Sequence, residues 1–133
     1  MVGISIDEIS SDDKLSQEYI DSNGFSKSTA TNDGTITINT AYSTGISGKG
    51  GAITNNKDII LNKTDSVGIA STDGNVLNSL TTGKIEVKES SSVGIFAKLT
   101  ENAPFPFQAI SNKGTITLNG GSTKTSSVGI YSL

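Results

Sequence analysis

The stretch Ser127-Val128-Gly129-Ile130-Tyr131-Ser132 is one writing of a phrase that also stands at Ser92-Val93-Gly94-Ile95-Phe96-Ala97 and Ser66-Val67-Gly68-Ile69-Ala70-Ser71. A weaker copy is Ser43-Thr44-Gly45-Ile46-Ser47-Gly48, and a partial one, Val2-Gly3-Ile4-Ser5-Ile6, follows Met1. Each of the four later copies is preceded by an alternating apolar and polar phrase: Gly34-Thr35-Ile36-Thr37-Ile38-Asn39, Asp58-Ile59-Ile60-Leu61-Asn62, Gly83-Lys84-Ile85-Glu86-Val87-Lys88 and Gly114-Thr115-Ile116-Thr117-Leu118-Asn119. Alternation with period two is the mark of a strand with one buried face. The chain is therefore a repeat protein.

A third phrase comes before each of these: Ala30-Thr31-Asn32, Ile53-Thr54-Asn55, Leu80-Thr81-Thr82 and Ile110-Ser111-Asn112. Three extended phrases per unit predict three sides per coil. The theme glycines Gly45, Gly68, Gly94 and Gly129 lie 23, 26 and 35 residues apart. A solenoid accommodates such drift because insertions at its corners bulge outward without disturbing the stacked strands. The expected fold is all-β: a parallel β-helix of four full coils and one partial coil, with one short helical insertion. The units read as a partial coil at 2–6, an insertion at 7–29, and repeats at 30–48, 52–71, 80–97 and 109–132, in one domain spanning 1–133.

Asn32, Asn55 and Asn112 stand at equivalent corners, where stacked amides hydrogen-bond from coil to coil. Thr82 interrupts this series, so the ladder is expected to break there. Gly34, Gly83 and Gly114 suit a corner of positive φ. Within the theme, Val and Ile two apart are expected to point inward with Gly on the outer face. That Gly then marks either a bend or a close approach of another segment.

Hydrophobic residues make up 33% of the 133 residues and aromatics 5%. No single unit can bury enough, but like residues stacked on like build a thin continuous core. The net charge is −3, and all ten cations are Lys. Without Arg, a basic cluster or much aromatic surface, nucleic acid is not the expected partner. The absence of Cys and His excludes thiol chemistry, imidazole bases and Cys/His zinc sites. Gly50-Gly51 and Gly120-Gly121 lead into no Asp at the place a calcium β-roll requires, and no Gly-Lys-Ser or Gly-Lys-Thr phosphate loop follows a strand. No cofactor or metal is expected. The dense acids Asp7, Glu8, Asp12 and Asp13 lie in the insertion, where Asp12 and Asp13 suit a helix start. They form no paired carboxylates on adjacent coils, so an enzyme is not expected. No apolar run is long enough to span a membrane as a helix, and no signal peptide is visible. The phrases run to both termini, which reads as a piece of a longer protein continuing at both ends.

Three insertions stand out. Residues 7–29 carry a helix over about 12–21, with Ser11 as N-cap and Leu15, Tyr19 and Ile20 on one face. Residues 73–79 read as a modest loop, and 99–108 as a larger one holding Pro104-Phe105-Pro106-Phe107. All three follow theme strands and so emerge at one corner, where they would stack into a lateral ridge. Tyr19, Leu77, Phe105 and Phe107 on that ridge are the candidate partner contacts, aromatic anchors on a rigid wall being a common recognition device. Equally, these side chains could pack on one another and cover the solenoid.

The Ser-Val-Gly-Ile-Tyr/Phe/Ala theme joined to the Asn-x-Gly-x-Ile-x-Leu phrase resembles the passenger repeats of large monomeric (type Va) autotransporter adhesins, fusobacterial ones in particular. The likeness covers residues 30–133 and, more weakly, Val2 to Ile6. It implies a right-handed parallel β-helix displayed outside the cell, attached to the outer membrane through a C-terminal barrel not contained in this sequence. It also implies adherence to a host or bacterial surface protein or glycan, with no insertion of this segment into the membrane. A passive stalk carrying a distal binding tip is the alternative, and a carbohydrate-active β-helix enzyme a further one.

Overall fold

The computed structural model describes residues 2–7, 29–100, 110–119 and 126–133. In chain order its strands are β1 (Val2–Asp7), β2 (Thr29–Asn32), β3 (Ile36–Ile38), β4 (Thr44–Lys49), β5 (Ala52–Asn55), β6 (Asp58–Leu61), β7 (Val67–Thr72), β8 (Asn75–Asn78), β9 (Lys84–Val87), β10 (Val93–Lys98), β11 (Ile110–Asn112), β12 (Thr115–Leu118) and β13 (Val128–Ser132). They form three sheets. The first runs β1-β4-β7-β10-β13, the second β11-β8-β5-β2 and the third β12-β9-β6-β3. Pairing is parallel throughout, for example Ile46 on Ile69 and Leu61 on Val87. The chain passes from first to second to third sheet and back, once per coil. This is a three-sided parallel β-helix with four complete coils plus β1, and there is no helix among the described residues. The expected helix over 12–21 lies outside them. At about 4.8 Å per coil, the five stacked strands of the first sheet span roughly 20 Å.

The core is a set of columns. Ile46, Ile69 and Ile95 stack in the first sheet, Ile53 and Val76 in the second, and Ile59 and Ile85 beside Leu61 and Val87 in the third, all at most 2% exposed. Each such side chain contributes about 1.5 to 3 kcal/mol by leaving water. The alternating phrases form strands because β-branched residues fit this stacking with one favoured rotamer.

Three expectations are corrected. The theme Val does not point inward: Val67 and Val93 are half-buried and Val128 is exposed, whereas Gly68 and Ile69 are both buried. The strand bends at the glycine, and the paired positions pass from Val67 to Ile69 without it. A Cβ built on Gly45 would lie 2.6 Å from the Gly68 carbonyl oxygen and 3.3 Å from Ile59 Cγ2. The glycine therefore faces inward, where the next coil's backbone and a third-sheet isoleucine leave no room for a side chain.

Second, Gly34, Gly83 and Gly114 do not have positive φ; among described glycines only Gly50 and Gly51 do, each at 68°. Gly83 is required by space, since its Cβ would lie 2.6 Å from the Asn55 carbonyl oxygen. Left-handed backbone occurs instead at Tyr42, Asp65 and Ser91, each just before a buried serine, at φ of 55° to 58°.

Third, Leu80-Thr81-Thr82 is not a strand. The third coil's second-sheet strand is β8, and Asn78 takes the corner position, so the amide ladder is unbroken. Asn32 Nδ2 donates to Asn55 Oδ1 at 2.8 Å, Asn55 Nδ2 to Asn78 Oδ1 at 2.9 Å, and Asn78 Nδ2 to Asn112 Oδ1 at 2.8 Å. Residues 79–83 make a longer corner between β8 and β9, where the preceding coil uses only Asn56 and Lys57.

Candidate functional site

The corner between the first and second sheets changes character along the solenoid. After β4 the chain turns in Gly50 and Gly51, and after β7 in Asp73 and Gly74. After β1 and β10, residues 8–28 and 99–109 intervene before the next strand. The two tight turns are well secured. Asp73 is 6% exposed and takes φ of 56°, and its carboxylate accepts hydrogen bonds from the Thr100 amide at 2.6 Å and the Thr100 hydroxyl at 2.5 Å.

Of the four candidate contacts, Tyr19, Phe105 and Phe107 lie outside the described residues. Leu77 does not sit in a loop. It lies within β8, half-buried on the outer face of the second sheet, in register with Thr54 and Ser111. The anticipated enlarged corner at 73–79 shrinks to two residues, because the surplus of the third coil sits at the next corner instead. Leu77 therefore belongs to a strand and not to the corner between the first and second sheets.

Two outer surfaces were not read from the sequence as sites. The outer face of the third sheet holds an open groove of about 510 Å³ lined across three coils by Asp58 and Ile60, Lys84 and Glu86, and Thr115, Thr117 and Asn119. Glu86 Oε1 accepts a hydrogen bond from Asn119 Nδ2 at 2.8 Å, and Glu86 Oε2 lies 4.0 Å from Lys88 Nζ. Hydroxyls, an amide, two carboxylates and an ammonium over a partly apolar floor suit a ligand that both donates and accepts hydrogen bonds.

The outer face of the first sheet is apolar toward its C-terminal end. Val67, Val93 and Val128 form one column, and Ala70, Phe96 and Tyr131 the next. The Phe96 and Tyr131 rings stack with centroids 5.7 Å apart and planes 15° from parallel. The signal was present in the theme, where both positions flanking Gly-Ile are apolar in the later copies. It is readable only once Gly, and not Val, is placed inside.

Among the described residues no group of His, Cys, Asp or Glu could hold a metal ion, and no helix is long and apolar enough to cross a membrane. What the arrangement offers is a stiff wall with graded outer faces, the class of a three-sided parallel β-solenoid. No family model, no curated protein and no solved structure matches the chain.

Proposed function

We propose that this chain is a non-enzymatic segment of a bacterial cell-surface adhesin passenger, displayed outside the cell and tethered to the outer membrane by a barrel elsewhere in its parent. It attaches to a host or bacterial surface protein or glycan through excursions carried on the rigid β-helix. The observation that carries this reading is the corner between the first and second sheets. There, residues 8–28 and 99–109 stand between consecutive strands, while the intervening coils close in two residues each. A plain shaft needs only the tight turn, and binding surfaces are commonly built from protrusions on one side of a repeat scaffold. The resemblance of the repeat phrases to those of autotransporter passengers supports the same reading.

The test is binding of the intact chain to arrayed surface glycans and to host and bacterial cells. The Phe105→Ala, Phe107→Ala double variant is expected to lose at least tenfold in affinity while keeping the parent's thermal transition. If the double variant unfolds early and its folded fraction binds as before, the excursion is packing. If the intact chain binds nothing while larger pieces of the parent do, it is a spacer. The unbroken amide ladder, which stiffens the shaft, favours that second reading.

A further inference from the structure

The outer face of the third sheet is organised in columns as strictly as the core. Asp58, Lys84 and Thr115 stand in one register, and Ile60, Glu86 and Thr117 in the next. Together they line the open groove of about 510 Å³. These side chains point away from the solenoid, so the face stays open however many coils are stacked.

The groove is set from beneath. The buried Asn ladder at the adjoining corner also reaches the backbone of the first column: Asn32 Nδ2 donates to the Asp58 carbonyl at 3.4 Å, Asn55 Nδ2 to that of Lys84 at 3.4 Å and Asn78 Nδ2 to that of Thr115 at 3.5 Å. In the second column, Glu86 Oε1 accepts from Asn119 Nδ2 at 2.8 Å while the Lys88 ammonium stands 4.0 Å from Oε2. That fixes the carboxylate and still leaves lone pairs on both oxygens. The side chains of Asp58, Lys84, Thr115 and Thr117 make no hydrogen bond among the described residues. Along the first column an acceptor, a donor and a hydroxyl therefore follow one another at about 4.8 Å, open to a ligand.

A ligand seated here must donate to Asp58 and Glu86, accept from Lys84 and do both at the threonines. A polyanion meets two carboxylates, and a cationic peptide meets Lys84 with Lys88 beside it. A strand-adding peptide needs a sheet edge, whereas the backbone of β9 is paired on both sides. An apolar ligand finds only Ile60 and leaves the polar groups without partners. A run of hydroxyls without net charge meets every demand, because each hydroxyl both donates and accepts.

We infer that the outer face of the third sheet is a binding groove for a neutral oligosaccharide lying along the solenoid axis across β6, β9 and β12. Its hydroxyls bridge Asp58 and Lys84, a neighbouring pair reaches the free lone pairs of Glu86, and the C–H face of a ring rests on Ile60. A pyranose in an extended chain advances by about the spacing of one coil, so successive sugars meet successive strands. The groove is separate from residues 8–28 and 99–109 and does not rest on their role in adhesion.

The experiment is isothermal titration of the intact chain with linear neutral hexose and N-acetylhexosamine oligomers, from monosaccharide to hexasaccharide. Affinity is expected to rise at least about tenfold up to about three sugars, one per coil, and then level off. Lys84→Ala and Glu86→Ala are each expected to weaken binding at least about fivefold with an unchanged thermal transition. Lys84 is exposed, so its variant keeps the test informative should Glu86→Ala loosen the sheet. The Phe105→Ala, Phe107→Ala variant is expected to bind the oligomers as the parent does. Absence of saturable binding to every neutral oligomer overturns the inference and leaves adhesion through residues 99–109 standing. Binding lost in the Phe variant but untouched by Lys84→Ala and Glu86→Ala overturns it as well, and assigns the glycan to the corner. Tighter binding of an oligouronate, or of a Lys-rich or Glu-rich peptide, overturns the choice of occupant.

Discussion

Asn55 is 0% exposed and sits between two like residues, accepting from Asn32 and donating to Asn78 and to the Lys57 carbonyl at 2.7 Å. Replacing it with Ala removes one side chain but strands buried polar groups on both neighbouring coils, each costing about 1 to 3 kcal/mol. Asn55→Ala should therefore destabilise the chain by about 3 kcal/mol in urea unfolding. Asn56→Ala, one residue further on, removes a half-buried amide that donates to Asp33 and accepts from Ser79 but strands no fully buried group, and should cost less, about 1 kcal/mol. The theme glycine makes an equally sharp case by sterics. A Cβ on Gly68 would stand 2.5 Å from the Gly94 carbonyl oxygen and 3.2 Å from Ile85 Cγ2. Relief requires the coils to part, so Gly68→Ala is expected to lower stability by about 3 kcal/mol or more, read from the same unfolding curves.

At the scale of the element, the first-sheet strands do two tasks because they bend. The bend lets Gly-Ile face the core as consecutive residues, and it turns the flanking Val and the aromatic that follows Ile outward. Phe96 and Tyr131 then meet as cross-strand neighbours on the outer face of β10 and β13. A double-mutant cycle on Phe96→Ala and Tyr131→Ala should give a coupling energy of about 0.5 to 1.5 kcal/mol, the range for stacked aromatic pairs. A coupling near zero would mean that each ring packs on the wall independently.

For the whole molecule, stability comes from nearest-neighbour coils and not from one central core, so coils are removable units. Deleting residues 50–72 joins Lys49 to Asp73, the residue that follows Lys49's register partner Thr72, and brings Asn32 against Asn78. The shortened chain is expected to keep a β-dominated circular dichroism spectrum and a cooperative but lower melt. Deleting only 50–61, which removes two sides of a coil and leaves the third, should abolish cooperative folding. Retention of the melt by both deletions would contradict stacking in register.

The repeat phrases by themselves determined the parallel β-helix, its three sides and its coil number. Inward residues recur in columns, and a column can be filled only by stacking like on like. Tertiary structure alone decided where the irregularities fall. The 26-residue step from Gly68 to Gly94 counts three residues beyond the 23 of the coil before, but spacing cannot say which of three corners absorbs them. Packing put them at residues 79–83, which kept Asn78 in the buried ladder and moved Leu77 from a loop to a strand. The direction of the theme glycine was likewise hidden, because alternation assumes a straight strand. Whether a glycine turns in or out depends on how near the next coil's backbone and the facing isoleucine come, and that distance exists only in the folded chain.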